Sequence, residues 1–243
     1  MAATKGTYTR LLIDEFDLSC QSSSLEVSGQ AAALNSTTFC ATGETFEPGL
    51  PAGAITHSGY FTGAGTGYME DVLNDRLGTG TPVYAAGLLL TNATNVPAYV
   101  CNATWGDQMN IKSPVAGLIT VDGSWPATNG LVRGYVIQDG AMSATGAGTA
   151  YDFGAAGSAG GKGYLLVSAI SGTATSATID IESSATEGGT YASEGTFTLS
   201  AIGVQTLDLS GTVNRWIRIN VTSLGGATSI TAVAICAVSG VTY

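Results

Sequence analysis

Residues 216–221 read Trp-Ile-Arg-Ile-Asn-Val, so apolar side chains stand at every second position. The same alternation occurs in residues 177–182 (Ala-Thr-Ile-Asp-Ile-Glu) and 119–124 (Ile-Thr-Val-Asp-Gly-Ser). Successive side chains of a β-strand point to opposite faces, so this period of two predicts strands with one buried face. These stretches decide the fold class, which we predict to be all-β and mainly antiparallel.

The rest of the chain repeats this pattern in short apolar runs separated by glycine-rich turns. Their spacing fits antiparallel sandwiches or barrels better than alternating strands and helices. The predicted strands are 11–17, 25–30, 54–62, 83–90, 98–104, 131–138, 164–170, 196–200 and 230–238.

Residues 68–77 (Tyr-Met-Glu-Asp-Val-Leu-Asn-Asp-Arg-Leu) have a different period. Met69, Val72 and Leu73 recur at helical spacing, Thr66 precedes them as a candidate cap, and Gly78 follows at a position that favours glycine. We predict one short α-helix here.

Residues 140–163 contain eight glycines in 24 positions and are otherwise mostly small residues. This composition is typical of flexible segments. We therefore predict a first β-domain over residues 1–139, a linker or loop over 140–163, and a β-sandwich module over 164–243.

The charge balance argues against a nucleic-acid-binding surface. Eighteen acidic and eight basic residues give a formal net charge of −10, whereas binding to phosphates depends on clustered Lys and Arg. Charged residues make up only 11% of the chain and the mean hydropathy is +0.26, so much uncharged surface is expected to lie against other copies of the chain. We expect no membrane segment and no signal peptide.

Sequence motifs give little support to catalysis or metal binding. The single histidine, His57, has no partnered nucleophile nearby, and an ordinary strand or interface role is the stronger reading than a general base. The glycines of 63–67 lack the rest of a phosphate-binding motif. Asp14, Glu15 and Asp17 could collect a cation, but neighbouring strand residues point to opposite faces. We expect no cofactor, no metal and no enzymatic activity.

Trp216 and Arg218 form a pair on one strand that could stack against a ligand. Packing between strands or domains is the alternative role for this pair. The four cysteines show no metal-binding spacing, and we expect them to stay reduced in a cytosolic protein.

Several short motifs resemble the major tail tube proteins of long-tailed, siphovirus-type bacteriophages. They are Leu-Leu-Ile-Asp-Glu-Phe-Asp-Leu-Ser at 11–19, Leu-Glu-Val at 25–27, Asn-Ser-Thr-Thr-Phe at 35–39, Phe-Glu-Pro-Gly-Leu at 46–50 and Ser-Gly-Tyr-Phe at 58–61. The resemblance covers roughly residues 8–138. Residues 181–184, Phe197 and 213–221 resemble β-sandwich modules that recur in phage virion proteins.

This resemblance implies a two-sheet β-domain flanked by a helix, with six copies in a ring and rings stacked into a tube. It implies a lumen that holds a tape-measure protein and later conducts DNA without sequence-specific binding, and contacts with tail terminator and tip proteins. The protein would be located in the virion tail after assembly in the host cytoplasm. Because the resemblance ends just before residue 140, we expect the second module to be dispensable for polymerisation after truncation at Gln138 or Asp139.

Two acidic residues are candidates for the wall of such a lumen. Residues 1–133 hold eleven acidic and five basic side chains, a net charge of −6, and an acidic wall would repel DNA. Glu26 and Asp122 each stand at a polar position of an alternating strand, and solvation of an outer surface is the alternative reading. The alternative functions are a capsid decoration protein, an adhesin that binds host glycans, and a secreted glycan-active enzyme.

Overall fold

A computed structural model of the chain describes residues 8–38, 40, 42–63, 65–79, 83–89, 96–128 and 130–240, without the side chains of 102–104. This part of the chain consists of strands, turns and one α-helix, and each strand pairing whose register is known is antiparallel. The predicted all-β class is therefore confirmed.

The elements, in chain order, are β1 (Arg10–Ile13), β2 (Phe16–Asp17), β3 (Ser22–Asn35), β4 (Phe46–Tyr60), α1 (Met69–Arg76), β5 (Val83–Leu88), β6 (Pro97–Thr104), β7 (Gln108–Lys112), β8 (Thr120–Pro126), β9 (Leu131–Met142), β10 (Gly146–Ala147), β11 (Tyr151–Asp152), β12 (Gly161–Gly172), β13 (Ala177–Ser184), β14 (Ala192–Leu199), β15 (Gly203–Leu209), β16 (Trp216–Ser223) and β17 (Ala227–Val238).

Two compact units divide the chain. We call residues 1–17, 88–98 and 133–243 the sandwich unit, and residues 18–87 and 99–132 the hairpin unit. Both units are built from separated pieces of the sequence, so a cut at a single position does not separate them.

The sandwich unit has two layers of strands around one core. In the first layer β15, β12, β17 and β9 are neighbours in that order, and in the second β10, β16, β13 and β14 are neighbours, with β11 also pairing to β16. The alternating apolar residues of both layers meet in a single buried cluster. Its members include Leu165, Val167, Ile179, Ile181, Phe197, Ile217, Ile219, Ile230, Ala232 and Ala234.

The structure divides the chain differently from the predicted boundary at residue 139. That boundary falls inside β9, which pairs with β17 from Tyr135↔Cys236 to Met142↔Ile230. Truncation after Gln138 or Asp139 would remove the strand that pairs with β9. The second half is therefore not the independent module that the sequence predicted.

Residues 140–163 do not form a linker. Gly146 and Ala147 of β10 pair with Val221 and Asn220, β11 pairs with the same strand β16, and Phe153 is buried in the core. Gly146 has a φ of 135°, a conformation that side chains with a Cβ rarely adopt. The glycines of this segment thus reflect tight turns within the sandwich unit.

The hairpin unit is organised around a four-stranded sheet in the order β3-β4-β8-β7. Strands β3 and β4 form a hairpin of 14 and 15 residues, with Leu25 opposite His57 and Val27 opposite Ile55. Ile55 and His57 are buried on one face of this sheet. Helix α1 contributes the buried residues Met69, Val72 and Leu73 and contacts β8.

Helix α1 confirms the predicted helix and corrects its cap. Gly78 follows the helix with a φ of 62°, as the sequence predicted. Tyr68, not Thr66, is the N-cap residue, and the side chain of Gln21 accepts a hydrogen bond from the Met69 N–H at 2.7 Å. No helix in the described ranges is long and apolar enough to cross a membrane.

Candidate functional site

One face of the four-stranded sheet in the hairpin unit is lined by polar side chains. Strand alternation and register bring them together from all four strands, with Glu26 opposite Thr56, Ser58 opposite Asp122, and Asn110 opposite Asp122. We call this surface the polar face. It carries Ser24, Glu26, Thr56, Ser58, Gln108, Asn110, Lys112, Asp122 and Ser124.

Both predicted acidic residues lie on the polar face, in different surroundings. Glu26 is exposed on the outer strand β3. Asp122 accepts hydrogen bonds from Lys112 Nζ at 2.6 Å and from the Ser58 hydroxyl. The hydrogen bonds from Lys112 and Ser58 hold the pKa of the Asp122 carboxyl below its ordinary value.

The charge of the polar face is smaller than the sequence indicated. Glu26 and Asp122 contribute −2 and Lys112 contributes +1, so the described residues of this face carry a net charge of −1. Most of the face consists of neutral hydroxyl and amide groups. Lys112 lies on β7, a strand that was not predicted although its Gln-Met-Asn-Ile-Lys sequence does alternate.

The opposite face of the sheet is apolar and buried at its centre. Val121 and Trp125 of β8 lie there with Ile55 and His57 of β4. A Cβ on Gly123 would approach Leu73 Cδ2 within 2.5 Å and His57 Cε1 within 2.6 Å, so only glycine allows α1 and the imidazole to come so close. The polar face is therefore the side of this sheet that α1 leaves open.

The apolar face is incompletely covered at the two outer strands. Val121 at the centre is fully buried, whereas its neighbour Ile111 on β7 is 47% exposed. Leu25 and Val27 on β3 are only half-buried. Within the described residues β3 pairs only with β4 and β7 only with β8, so each keeps one edge without a neighbouring strand.

The outer half of the β3–β4 hairpin is largely exposed, although Leu131 packs against Gly53 at its base. We call residues 29–35 and 46–53 the arm. Most of its residues are exposed, including Leu34, Phe46 and Leu50, of which Leu50 is 91% exposed. The loop between β7 and β8 (residues 113–119) is also exposed and apolar, with Val115 and Leu118 in contact with solvent.

The remaining sequence candidates have structural partners. Asp17 forms an ion pair with Arg10 at 2.8 Å, while Asp14 lies in the β1–β2 turn with a φ of 50°. No group of three or more metal-binding side chains occurs among the described residues. The carbonyl of Gly67, in the loop 63–67, accepts a hydrogen bond from Gln21 Nε2.

The Trp216 and Arg218 pair is not a free ligand platform. Arg218 binds Glu182 at 2.8 Å and lies 3.8 Å above the ring of Tyr191, while Trp216 is half-buried with Arg215 5.8 Å from its ring. Packing between strands, the alternative role in the sequence analysis, describes Arg218 better.

The four cysteines carry free thiols. Cys20 and Cys40 are exposed, whereas Cys101 and Cys236 are buried. Burial raises the pKa of the Cys101 and Cys236 thiols to about 12, so both stay protonated at neutral pH.

Comparison with known proteins gives structural similarity at low identity. No protein-family model matches the chain, and no curated protein matches it. A protein in the virion of a native gene transfer agent aligns at 13% identity over 53% of this chain and 97% of its own, with a TM-score of 0.43. The SPP1 tail tube aligns at 11% identity over 54% of this chain and 78% of its own, with a TM-score of 0.42.

The Dit protein of SPP1, described as a hub adsorption apparatus of phages that infect Gram-positive hosts, aligns over 94% of this chain and 98% of its own. Its identity is 13% and its TM-score is 0.36.

Proposed function

We propose that this chain is a structural subunit of a phage tail tube, located in the virion tail and without enzymatic activity. The observation that carries the proposal is the sheet of the hairpin unit, which has one open polar face, one face packed at its centre against α1 and, within the described residues, two edges without a neighbouring strand. A sheet of this kind can close only by pairing with other copies.

Lateral closure joins β7 of one copy to β3 of the next. Within the described residues both outer strands keep one edge without a neighbouring strand, and Ile111 of β7 is 47% exposed. A neighbouring copy would cover Ile111 at the β7 edge, and at the β3 edge it would add to the partial cover that Leu25 and Val27 have beside Gly87 of β5. The contact is heterologous, and such contacts close into rings when the rotation between copies allows it.

A ring of six copies, the number implied by the resemblance, has room for DNA. Four strands from each copy give a barrel of about 24 strands. A strand spacing of about 4.8 Å and a tilt of about 40° give a backbone diameter of roughly 50 Å. That width exceeds a DNA duplex even after side chains have filled part of it.

The polar face lines the lumen in this arrangement because α1 covers the other face. Glu26 and Asp122 are then wall residues, and the net −1 of each copy becomes −6 in the ring. The wall would repel DNA weakly and bind it poorly, since it offers few cations to phosphates. A tape-measure protein before ejection and DNA during ejection are the proposed occupants, with tail terminator and tip proteins at the two ends.

Axial stacking involves two exposed apolar regions at opposite ends of β4. The arm contains the start of β4, whereas the loop 113–119 lies near its end, because Tyr60 pairs with Thr120. The two ends differ, so contact between them is head-to-tail and repeats from ring to ring.

The first experiment is negative-stain electron microscopy of the purified full chain, combined with size-exclusion chromatography over a range of concentrations. We expect rings or tubes with a central channel for the natural sequence. Leu50→Asp should prevent stacking and leave the circular dichroism unchanged, since the residue contacts solvent in the single subunit. Ile202→Asp is the matched control, because Ile202 is exposed in the sandwich unit and should leave tubes intact.

A chain that stays monomeric at every concentration contradicts the proposal. If Leu50→Asp forms tubes as well as the natural sequence does, the arm does not take part in the stacking contact.

A second experiment tests which face lines the lumen. Glu26→Lys changes the net charge of the polar face from −1 to +1 in each copy. Tubes of this variant should retain added duplex DNA at low salt, and the natural tubes should not. Glu187→Lys, on an exposed loop of the sandwich unit, changes the total charge equally and serves as the control. Equal DNA retention by both variants would contradict a lumen lined by Glu26.

A further inference from the structure

His57 lies inside the hairpin unit between the sheet and helix α1. Its side chain is only 4% exposed. Gly123 of β8 and Leu73 of α1 lie close to the imidazole, since a Cβ on Gly123 would collide with both Leu73 and His57. The single histidine of the chain is therefore packed at the contact between β4, β8 and α1.

One hydrogen bond fixes the state of this imidazole. The Trp125 Nε1–H donates to His57 Nδ1 at 3.3 Å. The two rings are nearly parallel, with an angle of 8° between their planes and centroids 6.3 Å apart. Because Nδ1 is an acceptor, the neutral ring carries its proton on Nε2, which has no partner among the described residues.

We propose that His57 is an acid-sensitive latch: a proton taken from solvent onto Nδ1 breaks the bond to Trp125 and loosens the packing of α1 on the sheet. After protonation, the Nδ1–H of His57 faces the Nε1–H of Trp125, so two donors meet where a donor had met an acceptor. Protonation also places a positive charge in an apolar contact, which costs free energy unless the surroundings rearrange. This inference is independent of the tube function.

The groups around His57 leave the imidazolium with little compensation. Asp122, on the other face of β8, attracts it, but that carboxylate is already bound to Lys112 and Ser58. Cys101, which donates its thiol hydrogen to the Trp125 carbonyl oxygen at 3.3 Å, stays neutral because its pKa is about 12. The buried side of α1 is apolar, and its charged residues Glu70, Asp71, Asp75 and Arg76 are partly or fully exposed.

The direction of the pH effect follows from these surroundings. Burial lowers the pKa of His57 from 6.5 to about 4, and Asp122 opposes this shift only in part. The unfolded chain binds the proton first as the pH falls, so the stability due to neutral His57 is complete above pH 6.5 and is lost between pH 6.5 and about 4. The latch is therefore closed at neutral pH.

The test uses the full ¹⁵N-labelled chain at a concentration at which it is monomeric. Between pH 7 and 4 the Trp125 indole N–H resonance, assigned with Trp125→Phe, should move in a single-proton transition with a midpoint below 6.5. Amide exchange in α1, corrected for its intrinsic pH dependence, should become at least tenfold faster over the same range. His57→Gln keeps an acceptor without titrating in this range, so its indole resonance and α1 exchange should not respond.

Two results would overturn the latch. One is an equal pH response of the natural chain and His57→Gln. The other needs no variant: the imidazole nitrogen shifts of the natural chain at pH 7 must report a proton on Nε2, and a proton on Nδ1 would exclude the Trp125 bond.

Discussion

The core of the sandwich unit and the arm of the hairpin unit are both made of β-strands with apolar side chains, yet only one of them is covered. Ile179, Phe197 and Ile219 meet the apolar residues of a second sheet within the same unit. Leu34, Phe46 and Leu50 of the arm remain exposed. Apolar strands therefore form a folded core where the same chain supplies a second layer, and an exposed apolar surface where it does not.

The arm is also weaker as an isolated structure. A ribbon of two strands is marginally stable in water, because it has neither a third strand nor a packed layer. Its apolar surface and its exposed backbone edges are the features that natural proteins avoid on free surfaces. Under the proposed assembly, a second copy of the chain would cover both.

The largest expected effect separates these two regions directly. Phe197→Ala should lower the free energy of unfolding by about 3–5 kcal/mol, because it opens a cavity in a core that cannot collapse fully. Leu50→Ala in the arm should change it by less than about 0.5 kcal/mol. Chemical denaturation of the monomer measures both, and a loss of similar size at Leu50 would mean that the arm packs within its own subunit.

A smaller loss of stability is expected at the outer surface of the sandwich unit. Unlike the arm, this surface has polar side chains that bind one another within the unit. Glu182 is nearly buried and is held by Arg218 at 2.8 Å and by Asn220 at 2.8 Å. Arg218→Met leaves this carboxylate without its cation and should cost about 2–4 kcal/mol.

Arg215→Met provides the control for Arg218→Met, since it removes the ion pair with Asp152 at the surface. It should have a clearly smaller effect on the denaturation midpoint. If the two substitutions have equal effects, the Glu182 contact is no more important than a surface pair.

The sequence predicted those elements in which the spacing of apolar residues matches the face that the folded chain buries. The alternation in β13 and β16 and the helical spacing in α1 gave the class of each element, because one buried face imposes one period. The outer parts of β3 and β4 were missed, since Ala31–Ala33 and Pro48 do not alternate in the usual way.

The domain boundary and the charge of the polar face depended on distant partners. The pairing of β9 with β17 joins residues about a hundred positions apart, and glycine content alone cannot reveal it. Glu26 and Asp122 lie on one surface, and their place on a lumen wall stays a prediction. The neutralising Lys112 belongs to β7, whose short alternation is recognised as a strand once its pairing with β8 is known.

The next effect tests the root of the hairpin, where the arm is anchored. The Gln21 side chain accepts from the Met69 N–H at 2.7 Å and donates to the Gly67 carbonyl at 3.1 Å, so it caps α1 from the start of the hairpin. Gln21→Ala should cost about 1 kcal/mol, as loss of a helix cap does. Gln108→Ala on the polar face is the control with no expected loss, and equal values would show that the cap contributes nothing.

The smallest expected effect lies on the polar face. Lys112 is mostly exposed while Asp122 is largely covered, so removing the cation with Lys112→Met should change the stability at pH 7 by less than about 1 kcal/mol. The lowered pKa of Asp122 means that this contribution is present above pH 4 and is lost as the pH falls through the folded pKa. Lys112→Met should therefore raise the Asp122 pKa, which a carboxyl NMR titration measures.

Lys112→Met also changes the net charge of the polar face from −1 to −2. Tubes of this variant should therefore exclude DNA at least as well as tubes of the natural sequence. A lower Asp122 pKa, or DNA retained only by this variant, would contradict an acidic wall whose charge is set by this ion pair.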